Sequence, residues 1–111
     1  MNLLYKIILN NMATKVEKLE QYTEELSKFD SNPDLWLLEN IVSLLWPSIF
    51  NADSETVACT DEAELERVLE SSVVAKLNLD INIADVKSVC EKMGSSNRNK
   101  YRAIFYYLLA K

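Results

Sequence analysis

From Thr14 onward the apolar positions follow a helical rhythm. Val16, Leu19, Tyr22, Leu26 and Phe29 recur at intervals of three and four and form one stripe. Glu17, Lys18, Glu20, Glu24, Glu25 and Lys28 occupy the other face. Thr14-x-x-Glu17 matches a capping box, in which hydroxyl and carboxylate satisfy free N–H groups. The pattern predicts a first helix over Lys15 to Phe29.

Asp30-Ser31-Asn32-Pro33-Asp34 then reads as a stop and a restart. Asn32 suits a cap, Pro33 the first helical position, and Asp34 the positive end of the helix dipole. The second helix should run to about Trp46. Its apolar residues (Leu35, Trp36, Leu37, Leu38, Ile41, Val42, Leu44, Leu45) cover more than one stripe, so we expect it to be the most buried helix. Pro47 ends or kinks it, and Ser48-Ile49-Phe50 adds one apolar turn.

Asn51 to Thr60 is irregular. Thr56-Val57-Ala58-Cys59 has extended propensity, but a single short strand has no visible partner. Thr60 or Asp61 caps an acidic first turn, and Leu65, Val68 and Leu69 form an inner face. Ser71-Ser72 leaves open whether residues 61–78 form one helix or two. A fourth helix follows over about Ile83 to Met93, closed by Gly94 as a left-handed stop. Ser95 or Ser96 caps a fifth, over about Asn97 to Ala110. Tyr101, Ile104, Phe105 and Leu108 make its inner stripe, while Tyr106, Tyr107 and Leu109 fall outside it. Such a helix is enclosed or presents a partner face.

Composition supports this reading. The 111 residues fit one domain, and a single glycine and two prolines leave little room for the turns of an all-β fold. The expected fold is an all-α, single-domain bundle of about five helices spanning residues 12–111. Residues 1–11 read as an N-terminal extension, because Met12-Ala13-Thr14 is a natural start. The competing reading is an amphipathic segment that packs on the core. No run reaches the ~18 apolar residues of a membrane span. No secretion signal is visible, so we expect a cytoplasmic protein with Cys59 and Cys90 reduced and buried rather than joined.

The charge is unevenly distributed. Residues 92–111 hold five cations and no carboxylate, whereas residues 1–91 hold seven cations and seventeen carboxylates. The two segments carry +5 and −10 within a net charge of −5. Ser96, Arg98, Lys100 and Arg102 are the candidate anion- or partner-binding residues, because free helix N–H groups, a hydroxyl and cations together suit an anion. The blander reading pairs these cations with the acidic segment Asp61–Glu70 of the same chain. Tyr106, Tyr107 and Leu109 are a candidate interface, and Trp36, Trp46, Tyr106 and Tyr107 read as an interface or ligand belt, although aromatics at helical spacing are more often core.

Other chemistry finds little support. Residues 87–103 resemble a helix-turn-helix, but Lys100 stands where that motif buries an apolar residue, and the net charge opposes DNA. With no histidine, zinc sites and cysteine catalysis lack their usual partners. Asp61, Glu62, Glu64, Glu66 and Glu70 read as a solvated face rather than acid/base machinery. Asp53-Ser54-Glu55 lacks the later ligands of a calcium loop, and one glycine cannot build a phosphate loop. We expect no cofactor, no metal, no membrane partner and no enzymatic activity.

Cys90-Glu-Lys-Met-Gly-Ser-Ser-Asn-Arg-Asn-Lys-Tyr-Arg-Ala-Ile-Phe-Tyr-Tyr-Leu-Leu resembles the C-terminal signature of a small bacterial family catalogued as a domain of unknown function. Pro47-Ser48-Ile49 and Val57-Ala58-Cys59 are similar to its central part. The resemblance covers about residues 12–111 and implies a small helical cytoplasmic protein. It brings no activity, ligand or catalytic residue. The function expected is binding of another protein, or self-association, through the fifth helix and its basic first turn. The alternative is a nucleic-acid or phosphate ligand at the same turn, nucleic acid being disfavoured by charge.

Overall fold

The computed structural model describes residues 3–111, with side chains described from Lys15 onward except at positions 50, 52 and 53. Met1 and Asn2 of the expected extension lie outside the described residues, as does the Thr14 side chain of the expected capping box. The described residues form seven α-helices and one 3-10 turn. The helices are α1 (Leu3–Leu26), α2 (Leu35–Leu45), α3 (Ala52–Glu55), α4 (Glu62–Leu69), α5 (Ser72–Lys76), α6 (Ile83–Met93) and α7 (Arg102–Ala110). The 3-10 turn, Ser48–Phe50, is the apolar turn predicted after Pro47. The fold is all-α. The described residues hold no strand beyond an isolated antiparallel bridge between Thr56 and Tyr101.

The chain divides into two compact units between Pro33 and Asp34. In the first, α1 runs through Thr14, so that residue is not a helix start. The helix ends at Leu26 rather than Phe29. The Ser27 hydroxyl donates to the Glu24 carbonyl at 2.5 Å, and the Asp30 side chain accepts the Asn32 N–H at 3.0 Å, turning the chain away. The buried line is Tyr22, Glu25 and Leu26, while Val16 is exposed. Glu25, expected on the outer face, is therefore buried and pairs with Lys28 at 2.7 Å.

The second unit begins with a shifted cap. Asp34, not Asn32, is the N-cap of α2, and its carboxylate accepts the Leu37 N–H at 3.1 Å. Leu38, Ile41, Val42 and Leu45 are buried, but Leu35 and Trp36 are exposed. The helix thus buries one stripe, half-buries Leu37 and Leu44, and leaves Leu35 and Trp36 at its first turn uncovered. The Trp46–Pro47 peptide is cis, and the helix stops there.

Asp61 caps α4 by accepting the N–H groups of Ala63 and Glu64. Residues 61–78 resolve into two helices, because the Ser71 hydroxyl accepts the Val74 N–H and opens α5. A reciprocal capping box between Asn82 and Asp85 starts α6, and Gly94, at φ +93°, ends it. Few L-residues tolerate that backbone angle.

The fifth predicted helix starts later than expected. Neither Ser95 nor Ser96 caps it: α7 begins at Arg102 after an N-cap Tyr101 that makes no side-chain cap bond. The intervening residues are committed elsewhere. The Asn97 amide donates to the Met93 carbonyl at 3.2 Å, and its oxygen accepts the Asn99 N–H at 2.8 Å. The Lys100 carbonyl accepts the Val57 N–H at 2.9 Å. The extended residues Thr56 and Val57, partnerless in the sequence, are paired here with the approach to α7.

Helix α7 packs on α2, α3 and α6, and α4 packs on α6. Ala103 through Leu108 are consecutively buried, which accounts for the apolar circumference of α7. Burying a side chain such as Phe105 stabilises the fold by roughly 1.5–3 kcal/mol. The sulfurs of Cys59 and Cys90 are joined in a disulfide across a Cα–Cα distance of 5.9 Å. This corrects the expectation of reduced, buried thiols, since both residues are only half-buried. Pairing of α4 with α6 and of Val57 with Lys100 carries Cys59 to Cys90, a proximity that a separation of 31 residues does not reveal. Among the described residues, no helix is long and apolar enough to cross a membrane.

Candidate functional site

The four candidate anion-binding residues do not converge on one ligand position. Arg102 is turned into the protein. Its Nε donates to the Ser54 carbonyl at 2.7 Å and its Nη2 to the Thr56 carbonyl at 3.2 Å. Nη2 also forms a close ion pair with Glu64 Oε1, and the two side chains are only 14% and 13% exposed. The second Glu64 oxygen accepts from Arg67 Nη2 at 2.9 Å. One carboxylate on α4 therefore carries two guanidinium groups, and one guanidinium gathers the end of α3 and the residue that follows it. For Arg102, pairing with the acidic helix of its own chain is what the structure contains.

Opposing effects set the charge of Glu64. Burial alone would push its carboxyl upward. Hydrogen bonds from Arg102 and Arg67, together with their positive charges, override burial and hold it below the ordinary carboxylate value. The pair is a strong structural tie, because removing either member would leave a poorly hydrated charge. Other members of the acidic segment also have partners within the chain, with Glu62 3.4 Å from Lys87 and Asp61 3.9 Å from Arg67.

The rest of the basic turn lies outside the helix. Ser96 and Arg98 are exposed, and Lys100 is half-buried with its Nζ donating to the Asn97 carbonyl at 2.6 Å. The Tyr106 and Tyr107 rings are buried and leave no outer aromatic face on α7. Leu109 is half-buried and lines a shallow cavity of about 350 Å³ with Asp80, Ile81 and Asp85.

A second exposed surface lies on α2, where Trp36 takes the interface alternative rather than the core one. Trp36 is 82% exposed and Leu35 52%. Trp36 lines a groove of about 550 Å³ with Asp34, Leu37, Glu39, Asn40 and Ser43. Among the described residues its lining includes two carboxylates and no cation, with Lys111 Nζ 3.9 Å from the Asp34 carboxylate. The signal was present in the sequence, since α2 carries more apolar residues than one buried stripe requires. Among the described residues, no group of three or more Cys, Asp or Glu side chains is placed to hold a metal.

A family model described as a protein of unknown function (DUF2853) matches residues 21–111. No curated protein matches the chain.

Proposed function

Because the chain belongs to this family of unknown function, we propose its role from its surface: a non-enzymatic protein-interaction module, acting in the cytoplasm through the Leu35–Trp36 face of α2. The observation that carries the reading is the indole of Trp36, 82% exposed beside a groove, with Leu35 next to it in sequence. Exposed tryptophan supplies a large rigid contact area at low entropic cost, and such residues dominate binding energy at protein interfaces. Asp34 and Glu39 give the groove a negative lining. The complementary partner is a protein segment with an apolar anchor flanked by Lys or Arg, whose cation can also stack on the indole.

This reading moves the contact surface from α7, whose aromatic side chains are buried, to α2. Self-association uses the same face if the partner is a second copy. The runner-up is an anionic ligand at Ser96 and Arg98, favoured by their exposure and by the absence of an ion pair to Arg98 among the described residues.

The test is affinity capture from lysate with wild type, Trp36→Ala and Arg98→Glu/Lys100→Glu, each first confirmed folded by circular dichroism. Capture lost only with Trp36→Ala supports the α2 face. Loss only with the double variant, weakened steeply by salt, supports the anionic ligand instead. Arg102 is left intact, because its substitution would disturb the fold.

A further inference from the structure

We infer that the Cys59–Cys90 bridge is a reversible redox modification site, taking a dithiol/disulfide couple as its reaction partner and setting the order of the two segments it joins. The inference starts from where the two cysteines stand. Cys90 lies in the last turn of α6, four residues before Gly94. Cys59 lies in the irregular stretch between α3 and α4, just ahead of the Asp61 cap. Both are half-buried, so neither is sealed in the core where an attacking thiolate could not reach it.

The bridge joins a loop to a helix that has apolar packing of its own. α4 and α6 have their own apolar contact surface, with Leu65 and Val68 buried on one and Val86, Val89 and Met93 on the other. The stretch before Cys59 has fewer attachments. It is held by buried Val57, by the Val57 N–H to Lys100 carbonyl bond, and by the two carbonyls that Arg102 gathers. The turn from Gly94 to Tyr101 depends on the same attachments from the other side. The covalent tie thus restrains segments with little apolar packing beyond Val57, where local opening is easy. That turn carries the exposed Ser96 and Arg98.

The chemistry balances without a further component. A thiolate of the reducing dithiol attacks one sulfur of the bridge and forms a mixed disulfide, and the other cysteine leaves as a thiolate and takes up a proton. The second thiol of the reductant then displaces the remaining cysteine. Two electrons and two protons pass to the protein, and the dithiol becomes a disulfide. Oxidation by a disulfide of the same class runs the steps backward. In a reducing compartment a bridge of this kind is a transient redox sensor rather than a permanent staple.

The test uses the full chain, oxidised in air, and then dithiothreitol under native conditions. Thiols are counted by alkylation and intact mass, and backbone order is read by hydrogen exchange. The expected result is no alkylated cysteine before reduction and two after it. Exchange in residues 54–60 and 94–101 should accelerate by about tenfold or more, with α4 and α6 still protected. Re-oxidation should restore the slow rates. The Cys59→Ser/Cys90→Ser variant should show the fast rates with or without dithiothreitol. Four outcomes would overturn the inference: thiols that remain free in air, a bridge that resists dithiothreitol, unchanged exchange on reduction, or collapse of α4 and α6 protection. The last would make the bridge a global staple.

Discussion

The Tyr107 hydroxyl accepts the backbone N–H of Asp34 at 2.7 Å, across 73 positions of sequence. A fully buried ring on α7 thereby fixes the first residue of the α2 cap. Asp34 in turn caps Leu37, and Trp36 lies between the two. The core helix and the exposed indole are connected through one phenol.

Tyr107→Phe keeps the ring and removes that acceptor, leaving the Asp34 N–H unpaired in a partly buried position. The expected loss is about 1 kcal/mol, within the range for a single hydrogen bond. Urea unfolding, monitored by circular dichroism, measures it, and an unchanged midpoint would show that water replaces the phenol without cost.

Arg102→Ala should destabilise far more than Arg98→Ala, although both remove one surplus cation from the basic C-terminal segment. The Arg102 change takes one of two guanidinium partners from the little-exposed Glu64 carboxylate and removes the donors to the Ser54 and Thr56 carbonyls, and about 2–4 kcal/mol is expected. Arg98 is exposed, so its change should stay within about 0.5 kcal/mol. Equal losses in urea unfolding would contradict the burial assigned to Arg102.

Acid should weaken the fold partly through Glu64. Its carboxyl lies below the ordinary value when folded and returns to that value when unfolded. The contribution is therefore complete above the unfolded-state carboxylate value. It drains away as pH falls through the lower folded value. Unfolding free energies measured from neutral to acid pH should fall less steeply for Glu64→Gln than for wild type. Identical slopes would remove Glu64 from the account.

Gly94→Ala isolates a backbone effect. No atom lies within 4 Å of where its Cβ would stand, so the added methyl meets open space. The cost comes from φ +93° alone and should be about 1–2 kcal/mol. Ser95→Ala, one residue on at an exposed position, should change stability by less than about 0.5 kcal/mol. Thermal unfolding of the two variants makes the comparison.

Trp36→Ala should leave stability within about 0.5 kcal/mol of wild type, because little of the indole is removed from water by folding. In a Trp46→Phe background the remaining emission should be strongly quenched by acrylamide. Weak quenching would mean that the α2 face is covered in solution.

Patterning along the chain determined the helical fold class, the span of α6 with its Gly94 stop, and the apolar turn after Pro47. Each depends on periodicity, capping or backbone permissiveness within a few residues. The later start of α7 was decided by distant partners. Val57 reaches Lys100 through the chain's three-dimensional path, and that pairing outweighs the local preference of Ser96 to cap. Similarly, the division of cations between Arg102, inside, and Arg98, outside, depends on which one faces Glu64. The linear pattern showed a basic cluster, but solvation and pairing are properties of neighbours brought together by folding. Trp36 shows the same limit from the apolar side. Its sequence displays a surplus of hydrophobic residues on α2, and only packing decides which of them the core has room to bury.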